Sequence, residues 1–137
     1  MKHHDLHANL LCLTSRMRQR YAASCLRSYC SAKKISHSSL DDLLSHLDSI
    51  AVAEDIPEWE AKGARLALNG RGDPPPETLS EKLKDNERQE LIQLVEYVVE
   101  VGLVDLYGST TDAPLTFLEK IVCVLERNHI PLPSIYE

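Results

Sequence analysis

Apolar residues recur along most of the chain at spacings of three and four, the period of a helix with one buried face. Leu6, Leu10, Leu13, Met17 and Tyr21 make the first such face and predict a helix from Asp5 to Ser31, broken near Ser24. A polar connection over 33–39 follows. Ser39 then reads as an N-cap, with Asp42 three residues on in capping-box position and Leu40, Leu43, Leu44, Leu47 and Ile50 as the buried stripe. In a third helix Asp55 is the cap, Pro57 sits in the first turn, and Asn69-Gly70 ends it with residues that tolerate left-handed φ. Pro74, Pro75 and Pro76 make the next loop stiff. Thr78 and Glu81 form another capping-box pair, at the start of a short helix that leads into a stronger one from Asn86 to Val104.

On that stronger helix Leu91, Leu94, Val95, Val98, Val99 and Gly102 fill one broad arc, with Gln93, Glu96 and Glu100 opposite. So wide an apolar arc predicts a central helix covered from two sides. The local strand preference of Val98, Val99 and Val101 finds no alternating partner. Asp112 caps the last helix, whose buried face is Leu115, Leu118, Ile121, Val122 and Leu125, and Asn128 ends it. The remaining tail, held open by Pro131 and Pro133, is expected to be extended. The expectation is an all-α fold, a bundle of about five helices forming one domain over 1–137.

Composition agrees with helix-on-helix packing. A chain of 137 residues with one Trp and one Phe must build its core from Leu, Val, Ile and Ala. No apolar run approaches the roughly 20 residues needed to cross a bilayer, so no membrane contact is expected. The Arg- and Ser-rich start is read as a folded helix rather than a transit peptide, and no apolar core of a secretory signal follows it. Cys12, Cys25, Cys30 and Cys123 lack zinc-site spacing and are expected to be reduced, partly buried thiols in a cytoplasmic protein.

Charge adds an asymmetry. Residues 1–40 carry a net +6 and residues 41–137 a net −12. An acidic surface of this kind attracts basic partners and also keeps a protein in solution. Arg16, Arg18, Arg20, Arg27, Lys33 and Lys34 can meet phosphate, or their stems can simply cover the apolar stripe beside them; the second reading is preferred.

Reactive chemistry is hard to find. The sequence has no Gly-rich phosphate loop, nucleophile elbow or zinc-protease motif, and no enzyme, cofactor or metal centre is expected. His3, His4 and His7 can bind a metal adventitiously at a terminus that does not preorganise them, while His37 and His46 read as isolated surface residues. The Arg71-Gly72-Asp73 tripeptide is a chance match to adhesion ligands. Two patches suit a protein partner better. One sets Trp59 among Glu54, Asp55, Glu58 and Glu60, an aromatic anchor ringed by acids, although Trp59 also suits a place in the core. The other joins Glu96 and Glu100 to Asp105 and Tyr107 at a Gly108 turn.

That second stretch carries a resemblance. Residues 91–133, "LIQLVEYVVEVGLVDLYGSTTDAPLTFLEKIVCVLERNHIPLP", hold a Glu-bearing helix, the joint Val99-Glu100-Val101-Gly102-Leu103-Val104-Asp105-Leu106-Tyr107-Gly108, and a final helix that stops before Leu132-Pro133. The pattern resembles small helical immunity proteins of bacterial toxin systems, including those of contact-dependent growth inhibition. The resemblance implies a cytoplasmic, non-enzymatic inhibitor of a cognate toxin domain, often a nuclease, whose basic cleft it occludes with an acidic surface. It would use Glu54, Asp55, Glu58, Trp59 and Glu60, then Glu96, Glu100, Asp105 and Tyr107. The alternative is a helical adaptor or regulator that grips nucleic acid through its basic first helix.

Overall fold

The structure is a computed structural model, described here for residues 8–106 and 113–135. Its helices are α1 (Ser15–Lys33), α2 (Ser38–Asp48), α3 (Ile56–Ala64), α4 (Glu77–Ser80), α5 (Asp85–Leu106) and α6 (Ala113–Arg127), with a 3₁₀ turn at Ser49–Ala51 and a helical stretch over 8–11. No strand occurs among the described residues. The fold is all-α, as the periodicity predicts.

Helix α5 is the centre. It packs against α6 along one side and α1 along another, and α1 also carries α2. Its predicted arc is buried throughout, with Leu91, Leu94, Val95, Val98, Val99 and Gly102 all out of solvent. Leu115, Leu118, Ile121, Val122 and Leu125 of α6 complete the layer. Each such side chain contributes about 1.5–3 kcal/mol on burial, so this seam dominates the stability of the body.

Two polar contacts fix how α1 lies on α5. Gln19 is completely buried, and its amide donates to the carbonyl of Val98 at 2.9 Å. Its carboxamide oxygen accepts no conventional hydrogen bond and rests against Gly102, where any Cβ would overlap it. The Gly102 Cα–H points into that oxygen, a weak donor that takes the place of a stronger one. At the other end Glu90 of α5 accepts from Tyr29 Oη at 2.7 Å, Arg127 Nη2 at 3.0 Å and Asn128 Nδ2 at 3.1 Å. One carboxylate thus ties α1, α5 and the end of α6.

Element boundaries depart from expectation where a side chain outcompetes the pattern. The first helix breaks at 12–14, not near Ser24, because the Thr14 hydroxyl caps α1 by accepting from Met17 N at 3.2 Å. Met17 turns outward in consequence, while Leu10, Leu13 and Tyr21 stay buried. His37, not Ser39, caps α2: its Nδ1 accepts from Ser39 N at 3.1 Å. The opposite nitrogen then carries the proton and donates to Thr78 Oγ1 at 2.8 Å, which removes Thr78 from the expected capping box. Helix α3 stops at Ala64, short of Asn69, because the buried Asn69 amide reaches back to the Ala64 carbonyl at 3.2 Å. Gly70 does adopt the expected left-handed turn, with φ of 67°. Asp112, the expected cap of α6, lies outside the described residues, as do His3, His4, His7 and Gly108.

The C-terminal tail is extended and also packed. Ile130 and Ile135 are buried, and Tyr21 Oη donates to the Pro133 carbonyl at 3.1 Å. Cys25 and Cys30 are buried free thiols whose pKa burial pushes up to about 12, while Cys12 and Cys123 are exposed. Among the described residues no helix is long and apolar enough to cross a membrane.

Two outcomes test this framework. Gly102→Ala should cost about 1–3 kcal/mol by forcing a methyl into the Gln19 carboxamide; in a urea-denaturation cycle, adding Gln19→Ala should return part of that loss. For Glu90, burial alone would raise the pKa, but the bonds from Tyr29, Arg127 and Asn128 outweigh it and hold the carboxylate below its ordinary range. Its stabilisation is therefore complete above about pH 4.3, the ordinary value, and is lost as the pH falls through the lower folded-state value. Melting curves between about pH 5 and 2 should show a shallower acid limb in Glu90→Gln than in the parent.

Candidate partner-binding grooves

The chain from α2 to α3 turns sharply, and this turn builds the first groove. Arg16 of α1 reaches across to donate to the carbonyls of Ile50 at 2.9 Å and Ala53 at 2.7 Å, pinning the segment that leads to Asp55. Asp55 then caps α3 as expected, its carboxylate accepting from Glu58 N at 3.1 Å. That start aims Trp59 inward. The indole is 7% exposed, and its N–H is shared between the His46 carbonyl and Ser49 Oγ, both at 3.0 Å. Trp59 therefore belongs to the core and contributes little exposed surface to the groove.

His46 is not the isolated surface residue the sequence suggests. Its ring stacks on Trp59 with centroids 4.4 Å apart and planes 14° from parallel. Nε2 is buried without a hydrogen-bond partner, pressed toward Gly63, where an added Cβ would stand 2.7 Å away. Burial lowers its pKa first, and the nearby charges of Arg71 and Lys62 lower it further, so the ring is neutral at pH 7. No sequence signal announces the stack, because its members lie 13 residues apart on different helices.

Glu54, Asp55 and Glu58 line the open groove with His46, Trp59 and Val52. Val52 is 79% exposed, the most exposed of the large apolar side chains described. Lys62 stands at the same groove, 3.6 Å from Glu58, in a solvated pair that contributes little. Glu60, predicted to join these acids, turns to Arg71 instead: Nη1 lies 3.4 Å from its carboxylate and Nη2 donates to its carbonyl at 3.2 Å. Asp73 accepts from Asn69 at 2.6 Å, so the Arg71-Gly72-Asp73 segment is folded onto its own chain.

A second groove lies beside α5. Glu96 and Glu100 line it with Tyr97, Leu103 and Phe117, and Gly70, Arg71 and Gly72 form its far wall. Tyr97 and Phe117 meet at a tilt of 39° with centroids 6.1 Å apart, and Lys120 Nζ lies 5.4 Å and 5.5 Å above the two rings. The structure thus divides the predicted acids between two grooves, with the Glu60–Arg71 pair between them. Asp105 falls on α5 but its side chain is outside the described residues, and so is Tyr107 entirely. Sequence reasoning missed Val52, Phe117 and Lys120, since only a cross-helix contact gives them a role.

The basic helix is largely occupied by its own chain. Arg18 donates to the Leu10 carbonyl at 3.1 Å, Arg27 pairs with Asp48 at 2.7 Å, and Lys33 lies 6.0 Å over the Tyr29 ring. Among the described residues no cluster of His, Cys, Asp and Glu is arranged to hold a metal ion.

Comparison with known proteins returns no match: no family model, no curated protein and no solved structure is similar to this chain.

The neutral, stacked state of His46 has a direct readout. Its Hε1 proton resonance should titrate with a midpoint below the ordinary histidine value of about 6.5. Because the unfolded chain binds the proton more readily, stability should fall as the pH drops below about 6.5, and His46→Gln should lose that part of the dependence.

Proposed function

We propose that this chain is an immunity protein: it binds and neutralises a cognate bacterial toxin domain, a nuclease, by occluding the basic active-site cleft. The observation that carries the reading is the first groove, where Glu54, Asp55 and Glu58 border the exposed Val52. Carboxylates in such a place pair with the Lys and Arg side chains that a nuclease uses for phosphate, and so exclude RNA or DNA from the cleft. Long-range attraction speeds the encounter, and the apolar Val52 gives the docked state a desolvated contact. No reactive group of the inhibitor is needed.

The rival reading, an adaptor or regulator bound to nucleic acid through α1, has less in its favour. Arg16, Arg18 and Arg27 would have to abandon carbonyls and a carboxylate of their own chain to reach phosphate. Elsewhere the surface is dominated by acids that repel it.

The test is protection. Co-expression with a cognate toxin domain should restore growth, and the purified protein should stop nucleic-acid cleavage by that domain at about one-to-one stoichiometry. In Glu54→Gln/Asp55→Asn/Glu58→Gln the Asn retains the α3 cap, so the fold is kept while three charges go. Association with the toxin at low salt should slow by about tenfold or more, within the range of electrostatic steering. Unchanged binding by this variant would overturn the acidic-groove mechanism, and tight RNA or DNA capture by the isolated protein would favour the rival.

A further inference from the structure

The second groove has its own chemistry. Tyr97 of α5 and Phe117 of α6 are both half-buried, packed against the core and lining the opening. Glu96 and Glu100, one helical turn apart, stand along the same opening. Gly70 and Gly72 also line it, and a Cβ added at Gly72 would meet nothing within 4 Å. The cavity is about 390 Å³, ample for a planar cation and its stem.

We propose that this groove receives an arginine side chain of a protein partner, which stacks on the two rings in competition with Lys120. The inference rests on the reading of the chain as a binder of a basic protein surface, and names the residue type that the surface inserts. The Lys120 ammonium already lies within 5.5 Å of both ring centroids. The negative ring faces thus hold a cation even within the isolated chain. Lysine is a poor permanent occupant, because its ammonium is compact, strongly hydrated and carried on a flexible, exposed stem. A guanidinium is flat and weakly hydrated. It can stack on an aromatic face while its N–H groups, which lie in the same plane, reach carboxylates at the groove edge.

The opposing charge in the wall is Arg71, and its guanidinium is directed to Glu60, with Nη1 3.4 Å from the carboxylate and Nη2 3.2 Å from the carbonyl. Glu96 and Glu100 then set the sign of the groove edge. The site differs from the Val52 groove, where the indole is buried and stacked on His46. Two acid-bordered grooves therefore have separate tasks: general attraction at α3, and capture of one defined side chain between α5 and α6.

The probe is the peptide acetyl-(Gly-Arg)3-amide, titrated into the full chain at low salt and followed by NMR of the Tyr97 and Phe117 ring protons. We expect saturable shifts of both rings. Glu96→Gln/Glu100→Gln and Tyr97→Leu/Phe117→Leu, the latter keeping apolar volume while removing the π faces, should each weaken binding by about fivefold or more. Lys120→Ala should strengthen it by at least about twofold, since the competing cation is gone. Glu54→Gln/Glu58→Gln should change it less than twofold, and acetyl-(Gly-Lys)3-amide should bind more weakly than the arginine peptide. Absent ring shifts, or equal losses from the two Glu pairs, would overturn the assignment, as would no gain in Lys120→Ala. The readout is independent of the toxin: if protection holds while the peptide fails, only this inference falls. If the peptide binds while protection fails, the cation site stands and the immunity reading falls.

Discussion

Helix α5 is apolar around so wide an arc that it must be covered from two sides before any other part of the chain can be placed. Helices α1 and α6 provide that cover. Their approach is set by a contact with no slack, the Gln19 carboxamide lodged against Gly102 with its amide on the Val98 carbonyl. A buried carboxamide with one unfilled oxygen is a poor source of stability, but it permits few alternative alignments of α1. The Glu90 cluster fixes the same helices at their other end, so sliding and rotation of α1 are both opposed.

The grooves follow from this frame. Once α1 is fixed, Arg16 can hold the carbonyls of Ile50 and Ala53, and the chain is delivered to Asp55 in position to start α3. Once α5 and α6 are fixed side by side, Tyr97 and Phe117 must meet at their seam. The titratable group that burial perturbs at the first groove, His46, is held neutral against the Trp59 ring.

Much of the body was legible in the sequence because its information is periodic. The arcs of α5 and α6 could be read residue by residue from spacing, and the Asp55 cap from the acid that precedes Ile56-Pro57. Ends were harder, because they are decided by competition among polar side chains. Thr14 broke the first helix where the apolar stripe ran on, and His37 displaced Ser39 as a cap by an imidazole lone pair that no capping pattern records. The candidate site was read in part. Glu54, Asp55 and Glu58 do share a groove, as adjacency suggests, but Glu60 leaves them because position three and position five on a helix face different ways. The His46–Trp59 stack and the ring pair under Lys120 are tertiary facts, assembled from residues that nothing in the linear order connects.

The lock between Gln19 and Gly102 has an evolutionary side. A change at one of the two positions is penalised unless the other changes with it, so in diverging descendants they should drift as a couple. The side chains bordering the grooves, by contrast, have few obligations to the interior: Val52, Glu54 and Glu58 can be exchanged without disturbing the seam. A lineage under pressure to follow a changing adversary would keep its skeleton and rewrite its skin.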